Sequence, residues 1–168
     1  CSAIDPAELE EKLFGRAGGA PGLFREADGG TLLLEEVDRL PPGAQARLLH
    51  AIQRREGLPL DSAQPVPVDV RILAVAGPAL REAVDAGRFR QDLYYRLSAF
   101  SVELPPLRDC REDIYAIANE FMEEICHRYH IPDKALSGEA FSKLLNYDWP
   151  GNLRELENVL EGAAALSD

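Results

Sequence analysis

The stretch GGTLLLEEVDRL, residues 29–40, sets the fold class of this chain. Its Gly-Gly turn leads into a run of strand type, Thr31 to Leu34, and two carboxylates, Glu35 and Glu36, follow directly. A short apolar run that begins at a turn and ends in acids is typical of a buried parallel strand, whose carboxyl end is where ligands bind in open α/β sheets. The acids predict either a site that holds Mg²⁺ or orients a water, or a solvated turn after a core strand.

The composition is that of a globular protein, with 46% hydrophobic and 28% charged residues among 168. A formal net charge of −11 repels phosphate backbones, so we expect DNA contact only through a separate domain. No apolar run approaches the ~18 residues of a membrane helix and the N-terminus has no signal-peptide pattern, so we expect no membrane contact and a cytoplasmic location. Cys126, His127 and His130 lie close together, but the stretch supplies no convincing fourth metal ligand.

Helices and strands alternate on both sides of the strand predicted over 31–34. The further predicted elements are a helix over 5–13, a helix from 41 to 52, a strand over 68–77, a helix over 78–86 and a strand from Ala99 that ends at Pro105. Such alternation indicates a parallel sheet. The glycine-rich loop GRAGGAPG, residues 15–22, follows a helix and contains no Lys-Ser/Thr, so it does not qualify as a phosphate-binding loop.

From Arg108 onward the pattern predicts helices only. Ser137 is a candidate cap for the second of them, and Asn152 with Glu155 forms a capping-box pattern for the third. In that last helix Arg154 points away from the predicted apolar face. The residues predicted to share this face are Leu153, Leu156, Val159 and Leu160.

Six segments of the chain form a recognisable series. In order they are GGTLLLEEVDRLP, LLHAIQ, VDVRILAVA, GRFRQDLYYRL, LPPLRDCREDI and YDWPGNLRELENV. The series resembles the AAA+ central domain of bacterial enhancer-binding proteins, the regulators that activate RNA polymerase carrying sigma-54. The resemblance covers nearly the whole chain and implies an α/β fold. A P-loop-type parallel sheet is expected over 1–107, followed by a small all-helical lid subdomain over 108–168.

The resemblance also implies site residues, cofactors and partners. Glu35 and Glu36 occupy the Walker B positions, for Mg²⁺ coordination and water activation respectively. Arg90 and Arg96 match the arginines that reach into the nucleotide of a neighbouring subunit, which implies self-association into a dimer or ring. Arg154 matches the sensor II arginine of the lid. The family uses ATP and Mg²⁺, and its partner is the sigma-54 RNA polymerase holoenzyme. The competing interpretations are surface salt bridges for the first two arginines and a solvated helix face for the third.

Four departures from the family pattern predict a degenerate member. The N-terminal strands and the Lys-Ser/Thr phosphate loop of the family lie upstream of Cys1, which leaves an open slot in the sheet. We therefore expect upstream residues in the natural protein, or else a fragment or rearranged domain. Glu35 replaces the Walker B aspartate, and Gly77 stands where the family has a polar sensor I residue. The GAFTGA loop that contacts sigma-54 is reduced to GGAPG, residues 18–22.

Three functional interpretations remain open. The first is a sigma-54-activator-family regulator whose ATP hydrolysis and sigma-54 contact are impaired, and we favour it. The second is a non-hydrolysing oligomerisation or regulatory module of a transcription regulator. The third is an ATP-binding switch without turnover. A Lys-Ser/Thr phosphate loop upstream favours the first or third, and its absence favours the second.

Overall fold

The computed structural model describes residues 5–62 and 64–166, and the chain divides into two compact units between Ser101 and Val102. The first unit mixes helices and strands, whereas the described part of the second contains helical elements only. The division lies a few residues before the expected boundary between 107 and 108.

The elements of the first unit follow the order predicted for an α/β domain. They are α1 (Pro6–Phe14), α2 (Leu23–Glu26), β1 (Thr31–Leu34), α3 (Pro42–Arg54), β2 (Glu56–Gly57), β3 (Val66–Pro67), β4 (Arg71–Ala74), α4 (Leu80–Asp85) and α5 (Gln91–Leu97). Proline at the start of α3 is favourable because its missing N–H would have no helical partner there.

The strands β1 and β4 pair in parallel, with Thr31 opposite Arg71 and Leu34 opposite Ala74. The ladder continues past the strand ends, where the Val75 N–H donates to the Leu34 carbonyl at 2.8 Å. This pairing confirms the predicted parallel arrangement of β1. Strand β4 is shorter than the strand predicted over 68–77. At the start of that range the Val68 N–H donates to the carbonyl of Arg55 instead of to β1.

The core of the first unit lies between β1 and the helices. Leu32 and Leu34 face inward from the strand, and Ala44 and Leu48 of α3 are almost fully buried. The other buried apolar residues of this core are Leu9, Leu13, Phe14, Phe24, Val37, Leu40, Leu49, Ala51, Val68, Ala83, Phe89 and Leu93. Burial of each large side chain contributes about 1.5–3 kcal/mol to folding, so α3 and β1 form a rigid support for the loops at the sheet edge.

The strand predicted from Ala99 does not form. Its alternating apolar residues are almost fully exposed, with Phe100 at 98%, Val102 at 86% and Leu104 at 87%. A strand needs a hydrogen-bonded neighbour, and within the described residues β4 pairs with β1 alone. Within the described residues, the edge of β4 that faces away from β1 therefore has no strand partner.

The second unit is built from α6 (Ile114–Tyr129), α7 (Gly138–Asn146) and α8 (Asn152–Leu166), preceded by two single 3₁₀ turns. Its core contains Trp149, which is 2% exposed and whose indole N–H donates to the Leu144 carbonyl at 2.9 Å. Ser137 caps α7 as predicted, since its hydroxyl accepts from the Ala140 N–H at 3.1 Å. In the described residues, no helix combines the length and apolar character that crossing a membrane requires.

The start of α8 differs from the predicted capping box. The Asn152 side-chain oxygen accepts from the Leu107 N–H at 2.9 Å, so it is engaged outside the helix. The Glu155 carboxylate accepts from the Gly151 N–H at 2.8 Å, directly before the helix begins. The predicted apolar face is wrong in part, because Leu153 and Val159 are about half exposed. The buried stripe is Leu156, Leu160 and Ala164, at a spacing of four residues.

This division of the α8 face makes a stability prediction. Leu156→Ala removes a fully buried side chain and should lower the free energy of unfolding by about 2–5 kcal/mol. Leu153→Ala, a matched change in the same helix at a 46% exposed residue, should cost less than about 1 kcal/mol. Urea unfolding of both variants measures the difference. Equal losses would show that the sequence-based face, not the observed one, is correct.

Candidate functional site

The turn that follows β1 has an uncommon backbone conformation. Glu36 lies in the left-handed region, with φ 53° and ψ 50°, and a single 3₁₀ turn over Val37–Arg39 follows it. A non-glycine residue in this region stores backbone strain of order 1–3 kcal/mol, and such strain is typical of functional sites. Val37 holds the turn in place, since it is buried and its N–H donates to the Val75 carbonyl at 3.1 Å. Glu35 and Glu36, the acids that the resemblance assigns to the Walker B positions, therefore lie at the carboxyl end of β1.

The turn that follows β4 lies beside this acidic turn. The Gly77 N–H donates to Asp38 Oδ1 at 3.4 Å, which joins the two turns directly. A Cβ placed on Gly77 would find no heavy atom within 4 Å, so the space for a larger side chain is present and unfilled. The structure thus brings Gly77, the sensor I position of the resemblance, to the same sheet edge as the Walker B position.

The carboxylates at this edge fit one kind of Mg²⁺ site. Glu35 is exposed and Glu36 partly exposed, so both are accessible to a ligand at the surface. Among residues 5–62 and 64–166 there is no group of three or more Asp, Glu, His or Cys side chains placed to hold a metal. The donor set therefore suits an ion that takes one or two protein carboxylates and completes its shell with phosphate and water. It does not suit a metal site made of protein ligands alone.

Arg90 and Arg96 lie at opposite ends of α5. Arg90 is the cap residue, and its guanidinium makes a two-pronged ion pair with Asp92, Nε to Oδ1 at 3.0 Å and Nη2 to Oδ2 at 2.8 Å. The hydrogen bond from Arg90 lowers the pKa of the Asp92 carboxyl, and the N–H of Leu93 adds to the effect. Arg96 is exposed in the last turn and lines a cleft of about 580 Å³ with β4 residues and Phe100.

Arg154 belongs to the second unit. It is exposed in the first turn of α8, away from the buried stripe of that helix. The outward direction predicted for Arg154 agrees with this exposure. In the same unit the cluster at 126–130 gives no metal site. Cys126 is buried in the core, and the rings of His127 and His130 are 6.4 Å apart.

The glycine-rich loop is closed at its base. Gly15 and Pro21 form an antiparallel bridge, and a Cβ on Gly22 would lie 2.3 Å from the Gly15 nitrogen, so only glycine permits this approach. The Gly15 carbonyl also accepts from the Leu60 N–H at 3.0 Å. Arg16 pairs with Asp61 at 3.0 Å, which fastens this loop to the segment before β3.

Sequence reasoning missed Asp38, Asp92 and Gln45. Asp38 lies in the 3₁₀ turn after β1 and accepts from a backbone N–H. Asp92 lies in the first turn of α5 and pairs with an arginine close in sequence, a pattern that any surface acid shares. Gln45 carried a stronger signal, since it is a polar residue beside the apolar positions Ala44 and Leu48 on α3. Its surroundings are described below.

Two family models match the chain. Residues 108–168 match the AAA+ ATPase lid domain, which places the protein in the AAA+ class. Residues 1–103 match the sigma-54 interaction domain, and the chain therefore belongs to this family of sigma-54-dependent transcriptional regulators. Both matches confirm the resemblance drawn from the six sequence motifs.

Relatives and solved structures agree with this assignment. The transcriptional regulatory protein ZraR of Salmonella typhimurium is 46% identical over 99% of this chain and 40% of its own length. The sigma54-dependent transcriptional regulator SfnR of Pseudomonas fluorescens is 44% identical over 95% of this chain and 46% of its own. The crystal structure of NtrX from Brucella abortus in complex with ADP has a TM-score of 0.90 and 34% identity, over 95% of this chain and 36% of that one. It confirms the predicted AAA+ fold. The chain thus spans less than half the length of these proteins.

The ion pair at the start of α5 makes a prediction about pH. Arg90→Ala should raise the pKa of Asp92 toward its ordinary value, which carboxyl-resolved NMR titration measures. Because the folded pKa is lowered, the pair stabilises the fold above the ordinary carboxyl range near ~3.9 and ceases to do so as pH falls through the folded value. The effect on stability is small, since both side chains are 49% exposed and solvent screens them. An unchanged Asp92 titration in Arg90→Ala would contradict the pairing.

Proposed function

We propose that this chain is the central part of a sigma-54-activator-type regulator that self-associates and binds Mg-ATP but hydrolyses it slowly. The observation that carries the proposal is the meeting of Glu35, Glu36 and Gly77 at one sheet edge. A place for nucleotide chemistry is retained there, while the side chain that would orient the attacking water is missing. As part of a regulator acting on RNA polymerase, the protein would work in the cytoplasm and reach DNA through a separate domain.

Each acid has a role in this proposal. Glu35 would provide a carboxylate to Mg²⁺, although it is one methylene longer than the family aspartate and Mg²⁺ tolerates little displacement. Glu36 would accept a proton from water, and its left-handed backbone fixes the direction in which the carboxylate leaves the sheet edge. The ion, when bound, would neutralise charge on the phosphates.

The arginines would act between and within subunits. Arg90 and Arg96 would reach the nucleotide of a neighbouring subunit, because a guanidinium fork matches phosphate oxygens and always carries charge. Arg154 would contact the nucleotide from the lid. In the single chain the Arg90 guanidinium forms an ion pair with Asp92, so assembly would exchange this exposed ion pair for a phosphate contact.

The contact with sigma-54 would be weak or absent. Family members need a projecting loop with an aromatic tip, and buried aromatic anchors contribute ~2 kcal/mol or more each at interfaces. Here residues 18–22 are GGAPG, and the bridge between Gly15 and Pro21 keeps the loop short. The protein would then act through other contacts or through mixed assembly with an intact paralogue.

The alternative is a non-hydrolysing oligomerisation or regulatory module. The observation that favours it is Gly77, which offers no side chain to position water. An ATP-binding switch without turnover is the intermediate case. Nucleotide binding by the natural-length protein separates the module from the other two cases, since only the module would bind neither ATP nor ADP.

The arginine assignment predicts self-association of the natural-length protein. Arg90→Ala combined with Arg96→Ala should weaken association at least about tenfold, because each removes a charge-assisted contact. Arg54→Ala, an exposed arginine at the end of α3, is the matched control and should change nothing. Sedimentation velocity with and without nucleotide measures this. A strict monomer at high concentration under both conditions would refute the proposal.

The sheet-edge chemistry predicts slow turnover that substitution can restore. The natural sequence should release phosphate well below the ~1–10 s⁻¹ common among enzymes. Gly77→Asn with Glu35→Asp should raise the rate on the order of 10²-fold, since each restores a positioned group. Gly138→Asn, also at a glycine with open space around its Cβ, controls for a general effect. An ordinary rate in the natural sequence, or no gain in the double variant, would contradict the assignment.

A further inference from the structure

Gln45 is the one polar or charged residue in the buried core of the described chain. It is 1% exposed, on the inner face of α3 beside Ala44 and Leu48. A buried amide is costly unless its hydrogen bonds are satisfied. Its contacts therefore show what keeps a polar group there.

The Gln45 side chain uses both of its donor hydrogens and its acceptor. Nε2 donates to the Leu40 carbonyl at 2.8 Å and to the Arg88 carbonyl at 3.0 Å. Oε1 accepts from the Arg90 N–H at 2.9 Å. These partners fix the orientation of the amide, because the opposite orientation would place oxygen against two carbonyls. One side chain thus connects the end of the turn after β1 with the segment Arg88–Arg90.

The segment Arg88–Arg90 has two anchors. Phe89, 1% exposed, fills the core, and the N–H groups of Arg88 and Phe89 both donate to the Ala83 carbonyl. Gln45 holds the next residue, since its oxygen engages the Arg90 N–H directly before α5 begins. From this held backbone the Arg90 side chain extends into solvent, where its guanidinium donates to the Asp92 carboxylate.

We infer that Gln45 is the positioning residue for Arg90, and this inference rests on the proposed role of Arg90 at a neighbouring subunit. Gln45 holds the backbone from which the guanidinium starts, so the arginine reaches its target from one geometry. A methionine of similar volume would fill the space but leave the Arg90 N–H and two carbonyls unpaired. With Phe89 still in the core the unit would fold, while the Arg90 backbone, and with it the guanidinium, would occupy a range of positions. A misplacement of about 1 Å is enough to lose much of such a contact.

A double-mutant cycle on self-association of the natural-length protein tests this coupling. Arg90→Ala and Gln45→Met should each weaken association about tenfold, and the double variant should be no weaker than Arg90→Ala alone. Gln53→Met, the same change at an exposed glutamine of α3, is the matched control and should leave association unchanged. A merely structural role of Gln45 would give additive losses instead.

The outcomes separate this inference from the proposed function. Suppose that Arg90→Ala weakens association, but that Gln45→Met has no effect or that its loss adds to that of Arg90→Ala in the double variant. The positioning role of Gln45 is then wrong and the role of Arg90 survives. If Arg90→Ala has no effect, both are overturned.

Amide hydrogen exchange in the unsubstituted protein provides a second test that does not depend on a variant folding. The Arg90 N–H should exchange at least about 10²-fold more slowly than exposed loop amides, because its bond to Gln45 opens only with the core. Exchange at the rate of free loop amides would overturn the inference.

Discussion

The parallel pairing of β1 with β4 is the constraint on which the rest of the first unit depends. Parallel strands end at the same edge of a sheet, so the pairing alone brings the acidic turn after β1 together with Gly77 after β4. The bonds of Val75 with Leu34 and Val37 extend the ladder into these turns. Glu36, in its left-handed conformation, lies between Leu34 and Val37, whose backbone groups are both bonded to Val75.

Helix α3 carries this geometry to the segment that bears Arg90. Its apolar face packs on the strand side of the core, and Gln45 ties the same helix to the backbone of Arg88 and Arg90. Arg47 on the same helix donates to the Leu58 carbonyl at 3.0 Å and so holds the segment that meets the glycine-rich loop. The scaffold around the sheet edge is therefore well connected, although two positions within it depart from the family chemistry. A preserved support with altered reactive groups is the basis for proposing assembly with slow hydrolysis.

Much of this fold was predictable, and the errors have physical causes. The strand 31–34, the helix after Pro42 and the helical second unit follow from local patterns. The strand expected at Ala99 could not be judged locally, because a strand exists only beside a partner. Leu153 and Val159 fit an apolar stripe at helical spacing, yet only the neighbouring helices decide which part of a stripe is covered. At the proposed site, the acids and arginines are assigned from motifs alone. Gln45 was missed because its partner Arg90 lies 45 residues away.

The measurement that tests the proposed loss of function most directly is capture of sigma-54 by the natural-length protein with an ATP transition-state analogue. Residues 15–22 form a loop closed by Gly15 and Gly22 and fastened through Arg16 to Asp61. Such a loop cannot insert an aromatic anchor into a partner, so we predict no nucleotide-dependent complex with sigma-54. Recovery of a stable complex that requires the analogue would contradict this and restore the ordinary activator role.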